Sequence, residues 1–114
     1  MDIQLKRGLI EVCVLAAMLR EPTYGYKLIR DVSPYMEISE STLYPILKRL
    51  ETARCLTVTS AEHNGRLRKY YSITPEGRGR IAEFLTDWQS IMKTYSFIEG
   101  EAAYAQQYFP VYQV

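Results

Sequence analysis

A chain of 114 residues, 47% of them hydrophobic, is sized for one domain with a small core. A formal net charge of +1 and a pI near 7.7 exclude a uniformly basic or acidic chain, so a charged partner has to be met by a local patch. Two cysteines without CxxC spacing and a single histidine, His63, are too few for an ordinary zinc site; no metal or other cofactor is expected, and Cys13 and Cys55 read as core thiols of a reduced, cytoplasmic protein.

Residues 4–20 predict a first helix. Leu5, Leu9, Val12, Ala16 and Leu19 recur at helical spacing, and Ile10, Cys13, Val14, Ala17 and Met18 fill most of the remaining circumference. A helix apolar nearly all round needs cover on more than one side, and in a short chain another subunit is a natural second cover. The apolar run Leu9–Leu19 contains Glu11, lacks a small-residue cleavage pattern and is too short to cross a bilayer, so neither a signal peptide nor a membrane partner is expected. Glu21-Pro22 ends the helix, because the residue before proline disfavours the helical basin.

Thr23 is the expected N-cap of a second helix over about 24–34, with Tyr26, Leu28, Ile29 and Val32 on a mostly buried face. Residues 35–38 turn the chain. Ser39 then caps a third helix over about 40–53, whose Leu43, Ile46, Leu47 and Leu50 should face the core. Pro45 inside it implies either a tight or bent first turn, or a regular helix that starts nearer Tyr44.

Residues 56–61 alternate as a strand, Asn64-Gly65 is a strong hairpin signal, and residues 67–73 return as the second strand. Thr74-Pro75-Glu76 opens a last helix, with Thr74 as N-cap, Pro75 at the first helical position and Glu76 favoured by the dipole; it should run to about Ile98. Ile81, Phe84, Trp88, Ile91, Tyr95 and Ile98 fall on a heptad seam, widened by Leu85 and Met92. That seam is either intramolecular core or a dimer interface made with the first helix; the second is favoured, since three helices and a hairpin already complete a core of their own. In residues 100–114, Tyr104, Tyr108 and Tyr112 recur every four positions beside Phe109 and Pro110, too aromatic for a disordered tail, so packing as a short helix is expected.

The charge is unevenly spread. Residues 1–38 hold five cations and five acids, residues 39–82 eight and four, and residues 83–114 one and four. The net +4 falls on the stretch that holds the third helix and the hairpin, the two elements with which a winged helix-turn-helix grips DNA; ordinary solvated arginines and lysines would give the same count. Ser39, Ser41 and Thr42 lie at the leading turn of the third helix, where free amides favour a phosphate, though a capping role alone would also place them there. Tyr44 lies off the apolar stripe and should point outward, with Lys48 one turn further on. Arg49 could instead pair with a nearby acid. Arg66, Arg68 and Lys69 flank the hairpin turn; Arg66 and Arg68 are favoured as the groove-facing pair, with Tyr71 and Ile73 inward. Tyr24 could bond a phosphate or simply pack. No residue constellation suits catalysis, so no enzyme is expected.

These blocks, in this order, resemble the PadR family of prokaryotic transcriptional regulators over about residues 8–98. The resemblance rests on Tyr24-Gly25-Tyr26-Lys27-Leu28-Ile29, on Ser39-Glu40-Ser41-Thr42-Leu43-Tyr44-Pro45, on Lys48-Arg49-Leu50-Glu51 and on Gly65 through Gly77. It implies a homodimer with an N-terminal winged helix and one C-terminal dimerisation helix. It also implies a palindromic operator in double-stranded DNA, repression, and release by a small planar aromatic or phenolic effector. The family pattern has Gly where this chain has Ser41. Trp88 matches the position where some short members stack a planar ligand at the dimer centre; Leu9, Phe84, Ile91, Met92 and Tyr95 would complete that interface, and a simple interface-filling role for Trp88 is the alternative.

The expected fold is therefore mostly α with a small β-hairpin. It comprises a winged helix-turn-helix over 1–74, a C-terminal dimerisation helix over 75–99 and an aromatic-rich tail over 100–114. The expected function is sequence-specific DNA-binding regulation of transcription. A winged helix used only for protein–protein contact is the alternative, against which the net +4 argues.

Overall fold

The computed structural model describes residues 1–108. The elements in chain order are α1 (Ile3–Ala16), α2 (Gly25–Val32), α3 (Glu40–Thr52), β1 (Leu56–His63), β2 (Arg66–Ile73) and α4 (Pro75–Tyr108). They form two compact units, residues 1–82 and the residues from Glu83 onward, so the first two turns of α4 belong to the first unit.

In the first unit, Asp2 caps α1: its carboxylate accepts from the amides of Gln4 and Leu5, each at 3.1 Å. The helix stops at Ala16, four residues before the expected end. The next turn tightens, with Met18 N–H donating to the Leu15 carbonyl at 3.1 Å and Leu19 N–H to Ala16 at 3.2 Å. Its buried face is Ile10, Val14, Leu15 and, in the tight turn, Met18. The stripe expected to lead the packing is the less covered one, with Leu5 exposed and Leu9 and Val12 only half-buried.

Thr23 does not cap α2. It is buried and pairs with β2 instead, its amide donating to the Tyr71 carbonyl at 3.0 Å and its carbonyl accepting from Tyr71 N–H at 2.7 Å. Tyr24 holds the cap position without a side-chain bond to the helix. A second correction concerns Tyr26, which is 71% exposed and not on the buried face. An eight-residue helix has one apolar edge, here Gly25, Leu28 and Val32, and Tyr26 falls off it.

In α3 the tight-turn alternative holds. The helix begins at Glu40, and the Ser39 carbonyl accepts from both Thr42 N–H (3.1 Å) and Leu43 N–H (2.9 Å), so Pro45 is accommodated inside the helix. Ser39 makes no side-chain cap bond; its hydroxyl sits 3.0 Å from that of Ser41 and 3.2 Å from that of Thr42. The helix ends in a Schellman arrangement. Cys55 N–H donates to Leu50 O at 2.8 Å and Arg54 N–H to Glu51 O at 2.9 Å, with Arg54 in the left-handed region at φ 62°.

The hairpin pairs Leu56 with Ile73 through His63 with Arg66, antiparallel, closed by Asn64 (φ 50°) and Gly65 (φ 78°) as a two-residue type I′ loop. The strands run two residues beyond the expected end of β1 and one before the expected start of β2. Thr74 caps α4 as expected, its hydroxyl accepting from Gly77 N–H at 3.1 Å and donating to Arg54 O at 2.6 Å. Leu28, Leu43, Leu47, Leu50 and Leu56 fill the centre of the core with Val14 and Leu15, and Tyr71 closes it from the hairpin.

In the second unit α4 continues to Tyr108, ten residues past Ile98, so residues 100–108 are helical. Phe84 and Trp88 pack at 5.8 Å between ring centroids, and Tyr104 and Tyr108 at 4.6 Å. Leu85, Ile91, Met92, Tyr95 and Ile98 are all about half exposed. Phe109, Pro110 and Tyr112 lie outside the described residues.

Candidate nucleic-acid interface

Tyr44 projects from α3 between two clefts of the first unit. The larger, about 500 Å³, is lined by Tyr24, Gly25, Tyr26, Arg68, Lys69 and Tyr71 together with Tyr44 itself. The smaller, about 250 Å³, is lined by Lys48 and Glu51 of α3, Val58 of β1 and Lys69 of β2, again with Tyr44. Tyr44, Lys69 and Tyr71 line both. The start of α2, the outer face of α3 and the middle of β2 therefore form one continuous aromatic and cationic surface.

Local sequence makes this possible. A methyl group on Gly25 would stand 2.6 Å from the Tyr44 hydroxyl, so the glycine leaves the room in which the tyrosine ring lies over the first turn of α2. Arg68 lies with its guanidinium carbon 4.0 Å above the Tyr24 ring, and Tyr24 in turn meets Tyr70 edge-on at 5.9 Å. Such a cation–π contact is worth about 0.5–1 kcal/mol near a surface. Its larger effect is to hold the guanidinium in one place, which reduces the entropy lost when a ligand engages it. Burial, with smaller contributions from Tyr44 and Glu51, pushes the Tyr71 hydroxyl above its ordinary range.

The charges divide by location. Among the described residues the ion pairs are made by Lys27, Arg30, Arg49 and Arg80, and none of Lys48, Arg66, Arg68 or Lys69 enters one. The cations on this surface are therefore left unneutralised by acids of the chain, whereas Lys27, Arg30, Arg49 and Arg80 are matched. Arg49 takes the acid partner that the sequence left open, Glu11, at 3.2 Å.

The residues expected to meet DNA fall into three groups. Tyr24, Tyr44, Lys48, Arg68 and Lys69 line the two clefts. Ser39, Ser41 and Thr42 form an exposed hydroxyl cluster at the front of α3, beside first-turn amides that no side chain caps. Arg66 lines neither cleft and sits exposed beside the hairpin turn, opposite His63. Sequence reasoning missed Gly25 and Tyr26, which follow Tyr24 directly, and Leu67, which is 81% exposed between Arg66 and Arg68. Of the residues expected around an effector, Phe84 and Trp88 touch, and Ile91 and Tyr95 share a shallow apolar groove with Ile98; Leu9 lies in the first unit, half-buried.

The sequence model of the transcriptional regulator PadR-like family matches residues 14–83, which hold the whole of this surface. The chain belongs to the PadR-like family. Among solved structures it is similar to a Streptococcus mutans protein at 37% identity and a TM-score of 0.73, over 82% of this chain and 89% of that one. It is also similar to a PadR family transcriptional regulator from Eggerthella lenta, at 31% identity and a TM-score of 0.74, over 84% and 86%. A transcriptional regulator of Mycobacterium tuberculosis is 30% identical over 81 residues, 70% of this chain and 76% of that protein. A PadR-like protein is a DNA-binding regulator of transcription and not an enzyme. Among the described residues no helix is long and apolar enough to cross a membrane.

Proposed function

We propose that this PadR-like regulator acts as a homodimeric repressor on a palindromic operator and is released by a small planar aromatic or phenolic molecule. The observation that carries the DNA-facing part is the convergence of the unpaired cations Lys48, Arg68 and Lys69 on Tyr44. In this reading α3 enters the major groove with Tyr44 and Lys48, and its Ser39, Ser41 and Thr42 hydroxyls hold the adjoining phosphate. Arg66, Arg68 and Lys69 follow the neighbouring backbone or minor groove, and Tyr24 steadies Arg68.

The dimer is supported by apolar surface that one chain leaves uncovered. Ile91, Met92, Tyr95 and Ile98 are each between 45% and 58% exposed along one stretch of helix, and the Leu5 side of α1 is likewise uncovered. A seam of this kind is stabilised by a second copy of itself. Trp88, packed on Phe84 within the seam, would then meet its symmetry mate and offer a slot for a flat ring. Residues 75–99 are the dimerisation segment in this proposal, residues 1–74 the DNA-binding domain and residues 100–114 an aromatic extension.

Selection from a random duplex library should enrich an inverted repeat; enrichment of a single unrepeated site would remove the dimeric reading. Arg68→Ala should weaken binding to every duplex and flatten the slope of log K against log salt by about one unit. An unchanged slope would take the hairpin out of the interface.

A further inference from the structure

Glu11 lies on α1 and lines neither cleft, yet its carboxylate joins two guanidinium groups. Oε1 accepts from Nε and Nη2 of Arg49 at 3.3 and 3.2 Å, and Oε2 stands 3.8 Å from Nη1 of Arg80. The Glu11 side chain is only 20% exposed, so these contacts are partly shielded from water and salt. Arg49 follows Lys48 on α3 and is therefore turned about 100° around the helix from it. Lys48 faces the cleft beside Tyr44, while Arg49 reaches back to α1. Arg80 stands on the second turn of α4, within the first unit.

A second attachment lies at the C-terminal end of α3. The Thr74 hydroxyl donates to Arg54 O, and Thr74 N–H donates to Cys55 O at 3.1 Å. Arg49 lies within the last turns of α3 and Arg54 just past its end, so the two attachments are separated along the chain. One fixed point lets a helix pivot; two so separated fix its tilt. The apolar contacts of Leu43, Ile46, Leu47 and Leu50 hold α3 against the core, but burial of this kind is non-directional and tolerates small rolls. A carboxylate gripping a guanidinium through two nitrogens does not.

We infer that Glu11 is a positioning residue for the recognition helix. By holding Arg49 with one oxygen and Arg80 with the other, it sets the angle at which α3 presents Tyr44 and Lys48, and it makes that angle follow the first two turns of α4. The inference rests on α3 being the reading helix. Base recognition depends on placement to a fraction of an ångström, whereas phosphate attraction depends mainly on charge. Loss of Glu11 should therefore lower discrimination between sequences while general affinity for DNA is kept.

The test compares full-length wild type and Glu11→Gln on the duplex enriched from a random library and on a scrambled duplex of equal length and composition. Glu11→Gln should lower the ratio of the two affinities about tenfold, the worth of a partly exposed charge-assisted bond. Affinity for the scrambled duplex should stay within about twofold. A purely structural loss would scale both affinities together and leave the ratio alone. Arg49→Gln should reproduce the loss with an unchanged salt slope, the double variant should fall no further than either single one, and Arg80→Gln should lose less. An unchanged ratio in Glu11→Gln, or additive losses in the double variant, overturns the inference while leaving DNA binding intact. A wild-type chain that enriches no duplex overturns both.

Discussion

Gly77 and Gly79 stand two residues apart in α4 and should respond to alanine with opposite signs. Intrinsic helix propensity favours alanine at both, by up to about 1 kcal/mol. At Gly79 a methyl group would meet nothing within 4 Å, so Gly79→Ala should gain most of that amount. At Gly77 it would collide with the Cys55 carbonyl oxygen and stand 2.7 Å from Cγ1 of Ile73. The carbonyl is backbone and already accepts from Thr74 N–H, so it cannot swing aside as a side-chain tip would. Relief requires α4 to lift from the turn after α3, which weakens the bonds from Thr74 to Cys55 O and to Arg54 O. Two weakened hydrogen bonds at about 1 kcal/mol each, and overpacking of about 1–3 kcal/mol, outweigh the propensity gain. The net cost is about 2–3 kcal/mol, a fall in Tm of about 10–20 °C for a chain this size. Circular dichroism melts of the two variants at equal protein concentration provide the assay. A Gly77→Ala protein that melts at or above the wild type would refute the steric argument, since propensity alone would then suffice.

Trp88→Ala should abolish the response to a flat aromatic effector while DNA binding in its absence stays within a few-fold; an intact response in a DNA release assay would place the pocket elsewhere. Arg54→Gly should raise stability by about 1 kcal/mol, because glycine meets no steric penalty at a left-handed position; urea unfolding with no gain would show that the arginine side chain compensates. The Asp31 carboxyl is held below its ordinary 3.8, first by the hydrogen bond from Lys27 and then by the charges of Lys27 and Arg30. A depressed folded pKa means that the contribution is complete above the unfolded value and is lost as pH falls through the folded one. An NMR titration of the Asp31 carboxyl carbon should find a midpoint under 3.8, and one at or above it would refute the pairing.

What the sequence revealed and what it hid follow from range. The buried stripe of α3, the Asn64-Gly65 turn and the Thr74-Pro75 helix start are local patterns, and each appears where the pattern puts it. The end of α1 was hidden because no glycine or capping residue marks it; apolar residues simply carry on through a tight turn. Thr23 looked like a cap because its role as a bridge to Tyr71 depends on a partner 48 positions away. The stacking of Arg68 on Tyr24 and the grip of Glu11 on Arg49 are likewise contacts between distant segments. The last helix was expected to end near Ile98 but runs on through Gly100. One glycine costs about 1 kcal/mol, which neighbouring alanines and long unbranched residues offset. The site was therefore legible as a set of residue types, while its division into clefts, hydroxyl cluster and supporting ions was not.

The two backbone bonds between Thr23 and Tyr71 pin the hairpin at its root, where Leu56 and Tyr71 are sunk in the core. Beyond Arg68, which still stacks on Tyr24, the ribbon toward Asn64 has exposed side chains on both faces and only its own cross-strand ladder to hold it. Stiffness must therefore grade from hilt to tip. A blade mounted this way can bend at its end without passing the distortion down to the leucines beneath.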